Sequence, residues 1–376
     1  MVYMPLIEDD FTSATYNSEY HNQVDVRDGN HQEKVAAKGR AGDTVLVVNP
    51  SSSSGLTGKD WDSLFVEIKN ILGENTEAAF TEKSGDGAVL TRDFLRKGFT
   101  KIAAIGGDGT LNEVANGFFQ ESVGTNESKN YSKTSGNNNF PLSSKLKPIN
   151  PNAEMGVIAG GTRNVLAKSL GLPEEIIEGV RTFSLGKPKT IDVISATVTN
   201  PEDHSTVNTR VFLNAAEMGV GAEIIDRSKK VRKTINSRIV STIAGIVSTL
   251  PSYQSNECEI SLDNGQRKFR AKMTMTIIAN SQFLGGEIKA APKADMSDGK
   301  LDFVILKDSG GLKMIDELVN MKDGDYSEED NIFYTQVKQV SIASKERDVT
   351  VSIDGEPIGI LPATFEIIPN ALRIRM

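Results

Sequence analysis

In the first half of the chain, short apolar runs alternate with amphipathic stretches. Thr44-Val45-Leu46-Val47-Val48 is a β-rich run that stops at Asn49-Pro50, the form of a strand covered on both faces. Leu64, Ile68, Ile71 and Leu72 recur at helical spacing and predict a helix over Trp61 to Leu72. The rhythm repeats with strands at Ala78 to Thr81, Lys101 to Ile105 and Met155 to Ile158, and helices at Ala88 to Arg96 and Leu111 to Phe119. A further helix over Asn164 to Leu170 is stopped by Gly171 and Pro173. Strand and helix in alternation predict a parallel α/β sheet.

The pattern then changes. Lys189 to Val198, Arg210 to Asn214, Glu257 to Leu262, Arg270 to Ile278, Leu301 to Leu306, Val337 to Ala343 and Val349 to Ile353 are β-rich with few helices between them. Asp263-Asn264-Gly265 is a hairpin signal. This half is expected to be an antiparallel sandwich or barrel. Two stretches lack periodicity. Residues 1–42 are polar with acidic clusters and read as a mobile tail. Residues 120–150 are rich in Asn, Ser and Lys and read as a flexible insertion dispensable for catalysis.

Composition narrows the chemistry. The net charge of −8 argues against general nucleic-acid binding, which needs cationic patches to neutralise phosphates. One cysteine, Cys258, permits no disulfide within the chain and fits a reducing compartment. The N-terminus lacks a basic region followed by an apolar core, and no run of about 18 apolar residues occurs. A cytoplasmic protein, at most peripheral at a membrane, is expected. The three histidines, His21, His31 and His204, all lie in polar stretches, against a His-centred triad or His-rich zinc site. Carboxylates, backbone amides and a bound cation are left to carry chemistry.

The central motif is Gly106-Gly107-Asp108-Gly109-Thr110, after a strand and at the start of a helix. There, amides freed by glycine approach phosphate oxygens, and the helix N-terminus adds positive potential. Thr110 and Glu113 have the spacing of a capping box. The competing reading is an Asp-Gly hairpin turn, against which the following helix pattern speaks. The spacing fits neither a Walker A loop nor a Rossmann fingerprint. Ala159-Gly160-Gly161-Thr162-Arg163-Asn164 repeats the strand, glycines, Thr cap and helix, and Asn49 to Gly55 would be a third loop at the same edge. Three such loops favour a nucleotide site at the carboxyl ends of the strands.

These residues resemble a known family. IGGDGTLNEVANG, Ile105 to Gly117, is similar to the signature of the diacylglycerol kinase catalytic domain superfamily, which includes bacterial lipid kinases, sphingosine kinases and ceramide kinases. The resemblance continues through Asn49-Pro50 with Ser54-Gly55, Gly156 to Pro173, Ile191-Asp192-Val193, Phe212 to Ile224, Leu284 to Asp302 and Ile353 to Pro357. It covers residue 44 to the C-terminus apart from the insertion. It implies a Rossmann-like parallel α/β nucleotide domain at 43–186 and an antiparallel β-sandwich at 187–376, whose last strand is allowed to return to the first domain. The implied function is an ATP- and magnesium-dependent lipid kinase, with the acceptor lipid at a membrane surface.

By motif, the nucleotide residues are Asn49, Pro50, Ser54, Gly55, Gly106, Gly107, Gly109, Thr110, Glu113, Gly161, Thr162 and Asn164. The resemblance places Asp108 at phosphates and metal, Asp354 as general base with Glu356 beside it, and Asp295 and Asp298 at a structural magnesium. Arg163 and Val165 depart from the commoner family pattern and bear on nucleotide choice. On residues alone, Asp354-Gly355-Glu356 reads as an exposed hairpin turn, and Asp295 and Asp298 equally as a polar loop. Lys229, Lys230, Arg232, Lys233 and Arg238 precede an apolar stripe reaching Leu250. That is a core helix with a basic end, or a membrane-surface contact. An NAD kinase-like phosphotransferase, sharing the Gly-Gly-Asp-Gly loop, and a binding protein without catalysis are the alternatives. The oligomeric state is left open.

Overall fold

The computed structural model describes residues 44–52, 56–120, 131–133, 139–143, 146–220, 255–285, 288–308, 324 and 331–376. These fall within one compact unit, Lys38–Met376. The tail at 1–42, much of the insertion, Ser54 and Gly55, and the basic-apolar stretch from Lys229 to Leu250 lie outside the described residues.

The first half runs β1 (Thr44–Val48), α1 (Leu56–Lys59), α2 (Trp61–Leu72), β2 (Glu77–Phe80), α3 (Asp86–Lys97), β3 (Lys101–Gly106), α4 (Asp108–Gly117), β4 (Tyr131–Lys133), β5 (Asn139–Pro141), β6 (Glu154–Ala159), α5 (Val165–Ser169) and α6 (Ile176–Leu185). The second runs β7 (Pro188–Thr199), β8 (Val207–Phe212), β9 (Ala215–Gly219), β10 (Asn256–Leu262), β11 (Arg267–Ala279), β12 (Leu301–Lys307), β13 (Ile332–Val337), β14 (Gln339–Ser344), β15 (Thr350–Ile353) and β16 (Glu356–Arg375).

Strands β2, β1, β3 and β6 pair in that order, all parallel. Their continuous apolar sequences follow from burial on both faces. Val45, Val47, Ile102, Ala104, Met155 and Val157 pack with Leu95 of α3, Leu111 and Val114 of α4 and Leu166 of α5. The alternate residues Leu46, Val48, Ala103, Ile105 and Ile158 pack with Ile68 of α2 and Val180 and Phe183 of α6.

The second half is antiparallel, and β16 joins it to the first. Near its start β16 pairs with β15, further on with β14 and β7, and at Arg373 and Ile374 it lies parallel to β6. One sheet therefore runs through both halves. A second core, with Phe212, Phe303 and Phe365 fully buried, fills the antiparallel part.

The insertion is not uniformly featureless. Gln120 N–H donates to the Lys147 carbonyl and Ile149 N–H to that of Phe118. Phe140 is buried, and Leu146 and Ile149 pack on the α/β core. These few apolar side chains anchor a segment whose composition alone reads as solvent-facing. Glu121 to Asn130 carries little apolar material in its sequence, and its removal is expected to leave turnover and melting temperature unchanged. Removing Glu121 to Pro148 also takes Phe140, a truncation costing about 3–5 kcal/mol at a buried Phe. Thermal melts of the two deletions test this; equal stability would contradict it.

Candidate functional site

Three loops meet because three strands end together. Val48 of β1 is in register with Ile105 of β3, and Gly106 with Ala159 of β6. Asn49 ties the first loop to the second: its N–H donates to the Ile105 carbonyl at 3.0 Å, and its Nδ2 to Thr110 Oγ1 at 3.0 Å. Gly160 N–H donates to the Gly106 carbonyl at 2.8 Å. A Cβ on Gly161 would stand 2.4 Å from Gly107 Cα, so this approach requires glycine.

Asp108 opens α4, and its Oδ1 accepts the Leu166 N–H at 3.1 Å, bonding the second loop to the first turn of α5. Asn164 sits in the left-handed region at φ 53° before that helix, and its Oδ1 accepts the Gly161 N–H. The first-turn N–H groups of α4 have no acceptor within their own helix and, with the helix dipole, suit an anion. This donor set fits the phosphates of a nucleotide.

Two capping expectations are corrected. Helix α4 begins at Asp108 with Gly107 at its N-cap, so Thr110 is its third residue and forms no box with Glu113. Glu113 instead accepts from Gly85 N–H at 2.8 Å, Gly87 N–H at 3.0 Å and Ser84 Oγ at 3.3 Å. It caps the start of α3, which occupies both oxygens. Likewise α5 is entered through Asn164, while Thr162 is exposed on the loop. Pro50 lies in the turn two residues after β1, and its carbonyl accepts the Gly58 N–H.

The other wall comes from the far end of the sequence. Asp354 and Gly355, at φ 46° and 85°, form a two-residue turn between β15 and β16, as the hairpin reading expects. The side chain, however, turns inward. Asp354 Oδ1 accepts the N–H groups of Asn214 and Ala215, both at 3.1 Å. Its Oδ2 accepts Leu213 N–H at 3.2 Å and Asn112 Nδ2 of α4 at 2.8 Å. Part of the residue reaches the surface, but the carboxyl end is enclosed by these donors. Burial pushes this carboxyl up to about 6, against the pull of the four hydrogen bonds. Glu356 completes the wall: its Oε1 lies 3.0 Å from where a Cβ on Gly109 would sit. Asp354 and Glu356 thus meet α4, and Asp108, Asn112 and Asn116 line one face of that helix at intervals of four residues.

Asp295 and Asp298 are not brought to this site. Asp295 Oδ1 accepts from Ser297 N–H and Oγ, and Asp298 Oδ1 from Lys300 N–H. Asp295 lines a separate cleft of about 440 Å³ with Ser169, Lys189 and Met296, and no residue of the three glycine loops lines it. Fully buried Asp192 fixes this region, accepting Gly299 N–H and Asn370 N–H at 2.7 Å each. Among the described residues no three His, Cys, Asp or Glu side chains stand together to hold a metal. A magnesium bound mainly through nucleotide phosphates, with one or two carboxylates, is the arrangement that this donor set fits.

Asn112, Asn116 and Asp192 were not singled out as functional from the sequence. A polar stripe on an otherwise apolar helix was the available signal for the first two: Asn112 and Asn116 are 5% and 8% exposed.

Residues 43–196 match the diacylglycerol kinase catalytic domain, and residues 214–376 the YegS C-terminal NAD kinase beta sandwich-like domain. The chain is 26% identical over 320 residues to a diacylglycerol kinase of Bacillus subtilis (strain 168), covering 85% of this chain and 91% of that one. It is 27% identical over 342 residues to a Chromohalobacter salexigens protein named "Probable lipid kinase YegS-like", covering 88% and 92%. A crystal structure of a diacylglycerol kinase from Bacillus anthracis str. Sterne shares the fold, with a TM-score of 0.60 at 20% identity over 89% of this chain and 96% of that one. Among the described residues no helix is long and apolar enough to cross a membrane.

Proposed function

We propose that the chain, a lipid kinase by its match to the diacylglycerol kinase catalytic domain over residues 43–196 and to the YegS C-terminal domain over residues 214–376, transfers the γ-phosphate of ATP to the hydroxyl of a lipid. The observation that carries this reading is the 2.8 Å hydrogen bond from Asn112 Nδ2 to Asp354 Oδ2. It sets a carboxylate about one helical turn along from the glycine loop suited to phosphates.

Phosphoryl transfer needs alignment, charge neutralisation and a proton acceptor. Gly106 to Thr110, Gly160 to Asn164 and Asn49 would hold the nucleotide phosphates, and Asp108 would be the carboxylate available to a magnesium ion bound with them. Bound magnesium supplies charge neutralisation on those phosphates. The lipid hydroxyl oxygen forms a bond to the γ-phosphorus as the β–γ bridging bond breaks, and that electron pair leaves with ADP. Asp354 takes the hydroxyl proton, a role suited to a carboxyl near 6. Glu356, over Gly109, helps to position the acceptor. The lipid arrives at a membrane surface, a reading supported by the basic residues from Lys229 to Arg238 beside an apolar stripe.

Asp108→Ala tests the nucleotide side. It removes the acceptor of the Leu166 N–H and lets the two loops drift, and a misplacement of about 1 Å costs roughly 10²-fold in rate. Turnover is expected to fall by at least that much, with only the loss of one hydrogen bond, about 1 kcal/mol, in stability. Near-normal turnover in the folded variant would contradict the assignment.

A further inference from the structure

A carboxylate has about four lone-pair positions, and all four on Asp354 are engaged. Three of its donors, Leu213, Asn214 and Ala215, are backbone N–H groups, fixed by the chain. The fourth, Asn112, is a side chain and the one donor of the set that moves without moving the backbone. A hydroxyl can deliver its proton to Asp354 only by taking the place of one of these donors.

Asn112 is itself held from behind. Asn116 Nδ2 donates to Asn112 Oδ1 at 3.0 Å and to the Val211 carbonyl at 2.9 Å, while Asn116 Oδ1 accepts the Val211 N–H at 2.9 Å. Asn112 Nδ2 has a second acceptor in the Val211 carbonyl at 3.3 Å. The amide is thus oriented with nitrogen toward Asp354 and has somewhere to turn when displaced.

We infer that Asn112 is a positioning residue for the base: it occupies the proton-accepting site of Asp354 Oδ2 until the acceptor hydroxyl displaces it. The inference rests on Asp354 being the base. Because Asn112 rides on α4, whose first turn holds the phosphate loop, one rigid helix would align the phosphoryl group and the base together. The charged groups on the elements packed around Asp354 are Asp108 and Glu113 of α4, Arg210 of β8, Glu217 of β9 and Glu356, Glu366, Arg373 and Arg375 of β16; Glu113 is bonded to the start of α3, and Arg373 and Arg375 are paired with Glu154. Burial and the four hydrogen bonds outweigh them at this carboxyl.

The test is the pH profile of kcat/KM for the full chain with ATP and a dispersed diacylglycerol. Asn112→Ala removes a hydrogen bond that favours the ionised carboxyl, so the acid limb should move up by about one pH unit. Asn112→Asp sets a second carboxylate against the first and should move it further. Asn112→Asp is nearly isosteric and carries the test if the Ala variant does not fold. A limb that stays in place or moves down in a folded variant overturns the inference. Asp354→Asn separates the two layers: if it leaves the limb intact, the limb is not Asp354's, and the base assignment fails along with the role of Asn112. If it abolishes the limb while the Asn112 variants leave the parent limb unmoved, only the role of Asn112 fails.

Discussion

Asp354→Asn is expected to lower turnover by about 10²–10⁴-fold at saturating lipid, the usual contribution of a general base. Nucleotide affinity should change little, because the three glycine loops lie at the ends of β1, β3 and β6. The exposed-turn reading would leave stability untouched, and the structure corrects this. One oxygen of the Asn amide replaces a carboxylate oxygen without difficulty, but its NH2 group faces at least one pair of donors, such as Leu213 N–H and Asn112 Nδ2. An unmet buried donor costs about 1–3 kcal/mol. The pH dependence has a definite sign. The native carboxyl is raised to about 6 from 3.8, so its contribution to stability is complete below the unfolded value and is lost as pH rises through the folded one. The melting-temperature gap between parent and variant should therefore be wider at about pH 4.5 than at about pH 7.5. Turnover within a few-fold of the parent would leave Asp354 a structural turn residue.

Gly161→Ala is expected to abolish phosphoryl transfer, and Gly107→Ala to be far milder. The two glycines face each other, yet an added Cβ meets different surroundings. At Gly161 it would lie 2.4 Å from Gly107 Cα, which is backbone and cannot swing aside. At Gly107 the nearest atom is Gly161 Cα at 3.4 Å, an ordinary contact. The first substitution forces the two loops apart. Since a displacement of about 1 Å costs roughly 10²-fold, a loss of at least that size should appear in kcat/KM for ATP. Comparable activity in the two variants would show that the loops do not act together on one ligand.

The α/β half was legible because its strands are buried on both faces and its helices carry one apolar stripe. Trp61 to Leu72 and Lys101 to Ile105 were read almost residue for residue. Helix α6 escaped notice: it follows Pro173 and contains Gly179, which packs against Ile158 instead of favouring helix by itself. Strand β9 is Ala-Ala-Glu-Met-Gly, poor in β-formers, and owes its form to pairing with β11 and β15. Strand β16 contains Pro357, Pro362 and Pro369, which argue locally against a long strand. At the site, the glycine loops were readable from spacing, whereas the inward turn of Asp354 depends on backbone N–H groups some 140 residues away, which no local pattern records. Glu113 shows the opposite failure, a correct spacing with a partner on another helix.

The account stands on transfer of phosphate to a lipid, and the most direct measurement is a γ-labelled ATP assay with purified protein, magnesium and a panel of dispersed diacylglycerol, sphingoid bases and isoprenoid alcohols, with NAD as a competing acceptor. The account predicts label in an organic-extractable lipid phosphate, dependent on Asp108 and Asp354. Label in NADP, or ATP binding without transfer to any lipid of the panel, would contradict it.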